Sequence, residues 1–197
     1  TDEQIDDMLF KKYISLTASL HKDFYVEPSF KISSLGAFKA TDYYGLQWNH
    51  HNINTAEAVN AVGNELNNTV VAVLDEGSPT KNSGVYNAID FVDGGYDFID
   101  DDSDPTGPSV NNHGTHVAGI IAADNTKEYI NGMSVRVLPI RVLGPNGGST
   151  EGIINGLKYA GGETNSSGTS YKSDNFPISS INMSLGGGGF NQTAQDV

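Results

Sequence analysis

The chain has 197 residues, 37% of them hydrophobic and none of them cysteine, so a sizeable core is within reach while disulfides and thiolate zinc sites are excluded. It carries 24 acidic residues against 11 Lys and Arg, a formal net charge of -13, and its scattered bases argue against a nucleic-acid surface, where phosphates need clustered cations. No apolar run approaches the roughly 18 residues of a membrane span.

The first 39 residues differ from the rest. Ile5, Met8, Leu9, Tyr13 and Leu16 follow the spacing of an amphipathic helix. Phe24 to Pro28 reads as extended, because Pro28 pushes Glu27 out of the helical region. Ser33, Ser34 and Gly36 read as a linker. From Thr69 onward strands and helices alternate. Val70 to Leu74 is a continuous apolar run, expected of a strand buried on both faces. Residues 116–123 have helical spacing, and residues 135–142 form a second β-rich run. Thr150 to Ala160 is predicted as a helix capped by Ser149 or Thr150. Residues 178–183 are a third strand candidate. The stretches 78–95 and 161–177 are rich in Gly, Ser, Asn and Asp and are predicted as loops. This alternation implies an α/β fold, a parallel sheet with helices on both faces.

Two places carry chemistry. Asp75 follows the buried strand directly, at the carboxyl end where open α/β sheets place their sites, although a lone Asp there can equally be a turn residue. His113-Gly114-Thr115-His116-Val117-Ala118-Gly119 opens a helix after a polar Asn111-Asn112 turn, so His113 can project into a cleft. The two histidines could instead be metal ligands, but no Glu follows in the H-E-x-x-H manner.

Asp75 after its Val-rich strand, the His113–Gly119 string, Arg141-Val142-Leu143-Gly144, and Ile181-Asn182-Met183-Ser184-Leu185-Gly186-Gly187, in this order, resemble the subtilisin-like serine proteases over residues 42–197. The resemblance implies a three-layer sandwich around a parallel sheet, Asp75 as the triad acid and His113 as the general base. It places Ser184, Leu185 and Gly186 on one edge of a peptide-substrate cleft, and Leu143-Gly144 with Gly147 and Gly148 on the other. Turn glycines are the alternative for Gly147 and Gly148. The nucleophilic Ser and the oxyanion-hole Asn are expected after Val197. Gly168-Thr169-Ser170 is rejected as nucleophile because it precedes the last strand in a polar loop. The chain alone is therefore expected to be inactive.

Further expectations follow from the same likeness. Asp97, Asp100, Asp102, Asp104 and Thr106 resemble a structural calcium loop, since Ca²⁺ takes six to eight oxygens from flexible segments; the alternative is a solvated acidic loop. Residues 1–39 resemble the end of a propeptide and residues 40–197 the front of a catalytic domain, with cleavage expected near Ala40 and secretion implied. Glu76 stands where relatives usually carry Ser or Thr; it either faces a basic substrate side chain or is a tolerated surface change. A non-catalytic relative that binds peptide or calcium is the second reading. A doubly wound nucleotide binder is the third, but Asp75-Glu76-Gly77-Ser78-Pro79 is no phosphate loop.

Overall fold

A computed structural model describes residues 38–41, 43–78, 87–107, 113–127 and 130–187. The chain divides into two units, Thr1–Ser33 and Ser34–Val197, and every described residue belongs to the second. The expected helix and extended segment before Ser33 lie outside the described residues.

The second unit opens with a 3₁₀ turn at Tyr44–Leu46 and two short helices, α1 (Trp48–Asn52) and α2 (Thr55–Val62). Then come β1 (Val70–Asp75), β2 (Asp90–Phe91), β3 (Tyr96–Asp97), α3 (His113–Ala122), β4 (Arg136–Arg141), α4 (Thr150–Ala160) and β5 (Ile178–Asn182). The sheet is parallel in the order β2-β4-β1-β5, with β3 pairing on β4 beyond β2. In β1, Val70, Ala72 and Leu74 face one core with Leu138, Ile140, Val142, Tyr159 and Tyr171. Val71 and Val73 face the other with Ala118, Ala122 and Val137. Both faces are covered, α4 on the first and α3 on the second, which is why β1 reads as an unbroken apolar run rather than an alternation.

α4 spans the predicted Thr150–Ala160, and the cap is Ser149, whose Oγ accepts the Gly152 N–H at 3.0 Å. α3 begins at His113, the residue expected to open it, three residues before the helical spacing of 116–123. β2 falls inside the stretch predicted as loop. It is two residues long and exists because the outer edge of β4 offers a partner. Pro139 sits inside β4, where proline is rare. Asp90 and Phe91 pair with Arg136 and Val137, whereas Tyr96 and Asp97 pair with Ile140 and Arg141. Pro139 therefore lies opposite the break between β2 and β3.

Ahead of the sheet, the main chain is pinned by Asn131, which is fully buried. Its Oδ1 accepts from the Thr41 N–H at 2.9 Å and the Thr41 hydroxyl at 2.6 Å, and its Nδ2 donates to the Lys39 carbonyl at 2.8 Å. Asn131 and Gln47 exchange two more hydrogen bonds at 2.7 and 2.9 Å. Both neighbours of Ala40 are thus hydrogen-bonded to Asn131.

Candidate active site

The carboxyl ends of β1 and β4 run side by side, Asp75 opposite Arg141, and the Asp75 carbonyl accepts the N–H of Val142 at 2.9 Å and of Leu143 at 3.1 Å. This fixes the main chain at Asp75. The side chain is 1% exposed. Its Oδ1 accepts the Glu76 N–H at 2.7 Å, and its two oxygens lie 2.8 and 3.0 Å from His113 Nδ1. The imidazole, by contrast, is 51% exposed. One ring nitrogen meets a buried acceptor while the ring remains open to solvent.

Helix α3 comes this close to β1 only because residue 114 is glycine. A Cβ there would overlap the Gly77 carbonyl oxygen and sit 3.1 Å from Asp75 Cβ. Beside this contact Ser78 Oγ and Thr115 Oγ1, both buried, lie 3.2 Å apart. Backbone contact and hydroxyl pair together lock the first turn of α3 onto the loop after β1. Sequence inspection alone does not find the Ser78–Thr115 pair, since hydroxyls 37 residues apart leave no periodic trace.

The electrostatics follow from the geometry. With Nδ1–H donated to Asp75, neutral His113 carries its lone pair on Nε2, the tautomer a general base needs. The hydrogen bond to Asp75 raises the His113 pKa above its ordinary value; burial opposes this, and the charges of Asp75 and Glu76 add to it. A raised pKa delays formation of the neutral base, so the acid limb of any activity served by His113 lies higher than for a free imidazole. Linkage gives the stability effect: the contribution is complete below the unfolded-state pKa and is lost as pH rises through the elevated folded value. Glu76→Gln is expected to move the acid limb of kcat/KM to lower pH, by less than loss of Asp75 does, as a pH–rate profile of the full-length protein will read.

The remaining predicted site residues fall in three places. Ser184, Leu185 and Gly186 follow β5; Asn182 Nδ2 donates to Ser184 Oγ at 3.0 Å, Leu185 packs on the first core, and Gly186 is exposed with open space where a Cβ would stand. Gly147 has φ 89° and exchanges both main-chain hydrogen bonds with Gly144, at 2.9 and 3.0 Å, closing a turn. Exposed Gly148 leads from that turn to the cap of α4, and a Cβ on it would overlap the Val142 carbonyl oxygen. Gly168-Thr169-Ser170 lies in a turn closed by Asn165, which accepts the Thr169 N–H at 3.2 Å. Among the described residues, Asp75 is the hydrogen-bond partner of His113.

The carboxylates of the acidic loop take their hydrogen bonds from within the protein. Asp97 and Asp100 both accept from Arg141 Nη1, at 2.5 and 2.6 Å. Asp101 accepts the Tyr96 hydroxyl at 3.0 Å. Asp102 and Asp104 accept the N–H groups of Asp104 and Thr106 at 2.8 and 3.1 Å. No group of three or more His, Cys, Asp or Glu side chains that could hold a metal is present among the described residues.

The Subtilase family model of peptidases covers residues 66–197, more than half of the chain. The chain belongs to the subtilase family. It is 36% identical over 144 residues to the thermophilic serine proteinase of Bacillus sp. strain AK1, covering 69% of this chain and 33% of that protein. It is 42% identical over 106 residues to the major intracellular serine protease of Bacillus subtilis, covering 51% and 32%. A protease structure from Pseudoalteromonas arctica superposes with a TM-score of 0.61 at 29% identity, covering 81% of this chain and 54% of that one. The chain thus spans about a third of the length of these two curated subtilases.

Proposed function

We propose that the polypeptide to which this chain belongs is a serine endopeptidase, and that Asp75 and His113 are the acid and base of its triad. The observation that carries the proposal is the 2.8 Å contact between buried Asp75 and the exposed ring of His113. In this reading His113 Nε2 takes the proton of a serine hydroxyl as the hydroxyl attacks the scissile carbonyl, then delivers it to the leaving amine. Asp75 stays ionised, holds the tautomer and stabilises the imidazolium. Among the described residues His113 is hydrogen-bonded to Asp75 and not to a serine, so the pair by itself lacks the nucleophile this reading requires.

An extended peptide is the substrate such a cleft takes, with Ser184–Gly186 and Gly147-Gly148 as its proposed edges. Glycine at both lets a peptide main chain approach closely. Residues 1–39 are proposed to act as a propeptide. Secretion belongs to the same proposal: extracellular proteases of Bacillus subtilis and Xanthomonas campestris are among the relatives, beside one named as intracellular. No helix among the described residues is long and apolar enough to cross a membrane.

The test is hydrolysis of an unfolded protein such as casein by the full-length polypeptide. Release of peptides that stops when His113 is replaced by Ala supports the proposal. Absence of hydrolysis by a folded native protein leaves the chain a non-catalytic member of its family.

A further inference from the structure

We propose that the Arg141 guanidinium is the built-in cation of the acidic loop 97–106, standing where a divalent metal would otherwise be required. The loop concentrates Asp97, Asp100, Asp101, Asp102 and Asp104, a density of carboxylates that needs a counter-charge to stay folded. The counter-charge comes from the sheet. β3 pairs with β4 so that Asp97 lies directly across from Arg141, and the Arg141 side chain is only 7% exposed. Asp97 Oδ2 meets Arg141 Nη1, while Asp97 Oδ1 accepts the N–H groups of Ile99 at 2.7 Å and Asp100 at 3.1 Å. Both oxygens of this 1% exposed residue therefore point inward. Asp100, with its side chain 64% exposed, closes over the same nitrogen from the solvent side.

The rest of the loop is folded around that ion cluster. Asp97 and Asp102 exchange main-chain hydrogen bonds at 2.8 and 3.1 Å, and Asp101 takes the left-handed conformation, φ 57°, that lets the chain turn between them. Asp102 and Asp104 cap the amides two residues ahead. An oxygen shell for calcium that used Asp97 Oδ2 and Asp100 Oδ2 would take both from Arg141, and a buried guanidinium stripped of its carboxylates is strongly unfavourable. Calcium and Arg141 would thus compete for the same two carboxylate oxygens. The same arginine packs its Cδ against the glycine two residues beyond the catalytic acid, where a Cβ on Gly77 would stand 3.2 Å away. The cluster thus supports the strand ends that hold Asp75.

The experiment measures the melting temperature of the full-length protein in millimolar calcium and in chelator, in a His113→Ala background that prevents self-digestion. The readout is the difference between the two conditions, compared across variants. Arg141→Met is expected to melt about 6–20 °C lower than the parent in chelator and to show a larger calcium-induced rise, because two carboxylates are released. Asp100→Asn is expected to melt lower than the parent with an unchanged calcium difference. The proposal is overturned if the calcium difference of the parent shrinks in Asp100→Asn, or if Arg141→Met gains no calcium response. Should Arg141→Met yield no folded protein, the Asp100→Asn comparison decides alone. None of these readouts depends on catalysis, so failure of the endopeptidase reading and failure of this one are separable.

Discussion

If the pair serves the proposed peptidase, Asp75→Asn in the full-length protein is expected to lower kcat by about 10⁴-fold while leaving KM nearly unchanged. The carboxylate is buried and its polar partners are His113 and the Glu76 amide, so it contributes nothing to substrate binding. An amide in its place preserves the shape but can present its NH₂ to Nδ1, which stabilises the wrong tautomer and puts the proton on Nε2. Loss of the hydrogen bond that raises the His113 pKa also moves the acid limb of the residual activity to lower pH. Because acid and base act as one unit, Asp75→Asn combined with His113→Ala is expected to be no worse than His113→Ala alone. Steady-state kinetics on a peptide substrate check both statements. A loss under tenfold, or additive losses in the double variant, would mean that the pair does not act as a unit.

Gly114→Ala should damage the site without touching a reacting group. Its methyl would overlap the Gly77 carbonyl oxygen, and that atom belongs to a main chain fixed by β1 and by the Ser78 N–H bond to the Pro105 carbonyl at 3.0 Å. The neighbour cannot swing away as a flexible side chain would. The start of α3 must retreat, carrying His113 with it. Overpacking of this kind costs about 1–3 kcal/mol, or a melting shift of about 2–12 °C for a domain of this size. A displacement on the order of 1 Å in a catalytic group costs roughly 10²-fold in kcat. Thermal melts and kinetics on the same preparation test the pair of effects. A variant that loses stability but keeps full kcat would show that α3 adjusts without moving its first residue.

The parts of the fold that were legible in the sequence are those whose burial leaves a pattern. β1 is buried on both faces, so its five apolar residues stand in a row; α4 is buried on one face and capped by Ser149, so its period and its start are both visible. α1 and α2 left no such trace. Among their residues only His50 and Thr55 are buried, so no apolar stripe marks them. β2 and β3 are two residues each and owe their existence to the free edge of β4, a tertiary cause invisible in a local window.

The site shows the same division. Asp75 could be placed at a strand end from the Val70–Leu74 run, but its contact with a histidine 38 residues later needed the fold, or the family likeness carried by the His113–Gly119 string. For the acidic loop, composition suggested a cation and could not say which. Asp97 and Arg141 are 44 residues apart and meet only through the register of β3 on β4. Arg141, which pairs with Asp97 and Asp100, reads in the sequence only as part of the strand and loop before a helix.

The most direct test of the central claim is labelling of the full-length protein by a fluorophosphonate, which reacts with a serine only when a neighbouring base activates it. The account predicts rapid labelling of the native protein on a single serine and loss of that labelling in His113→Ala. Equal labelling of the two proteins, or none of the native one, would contradict the assignment of His113 as the base of a serine protease.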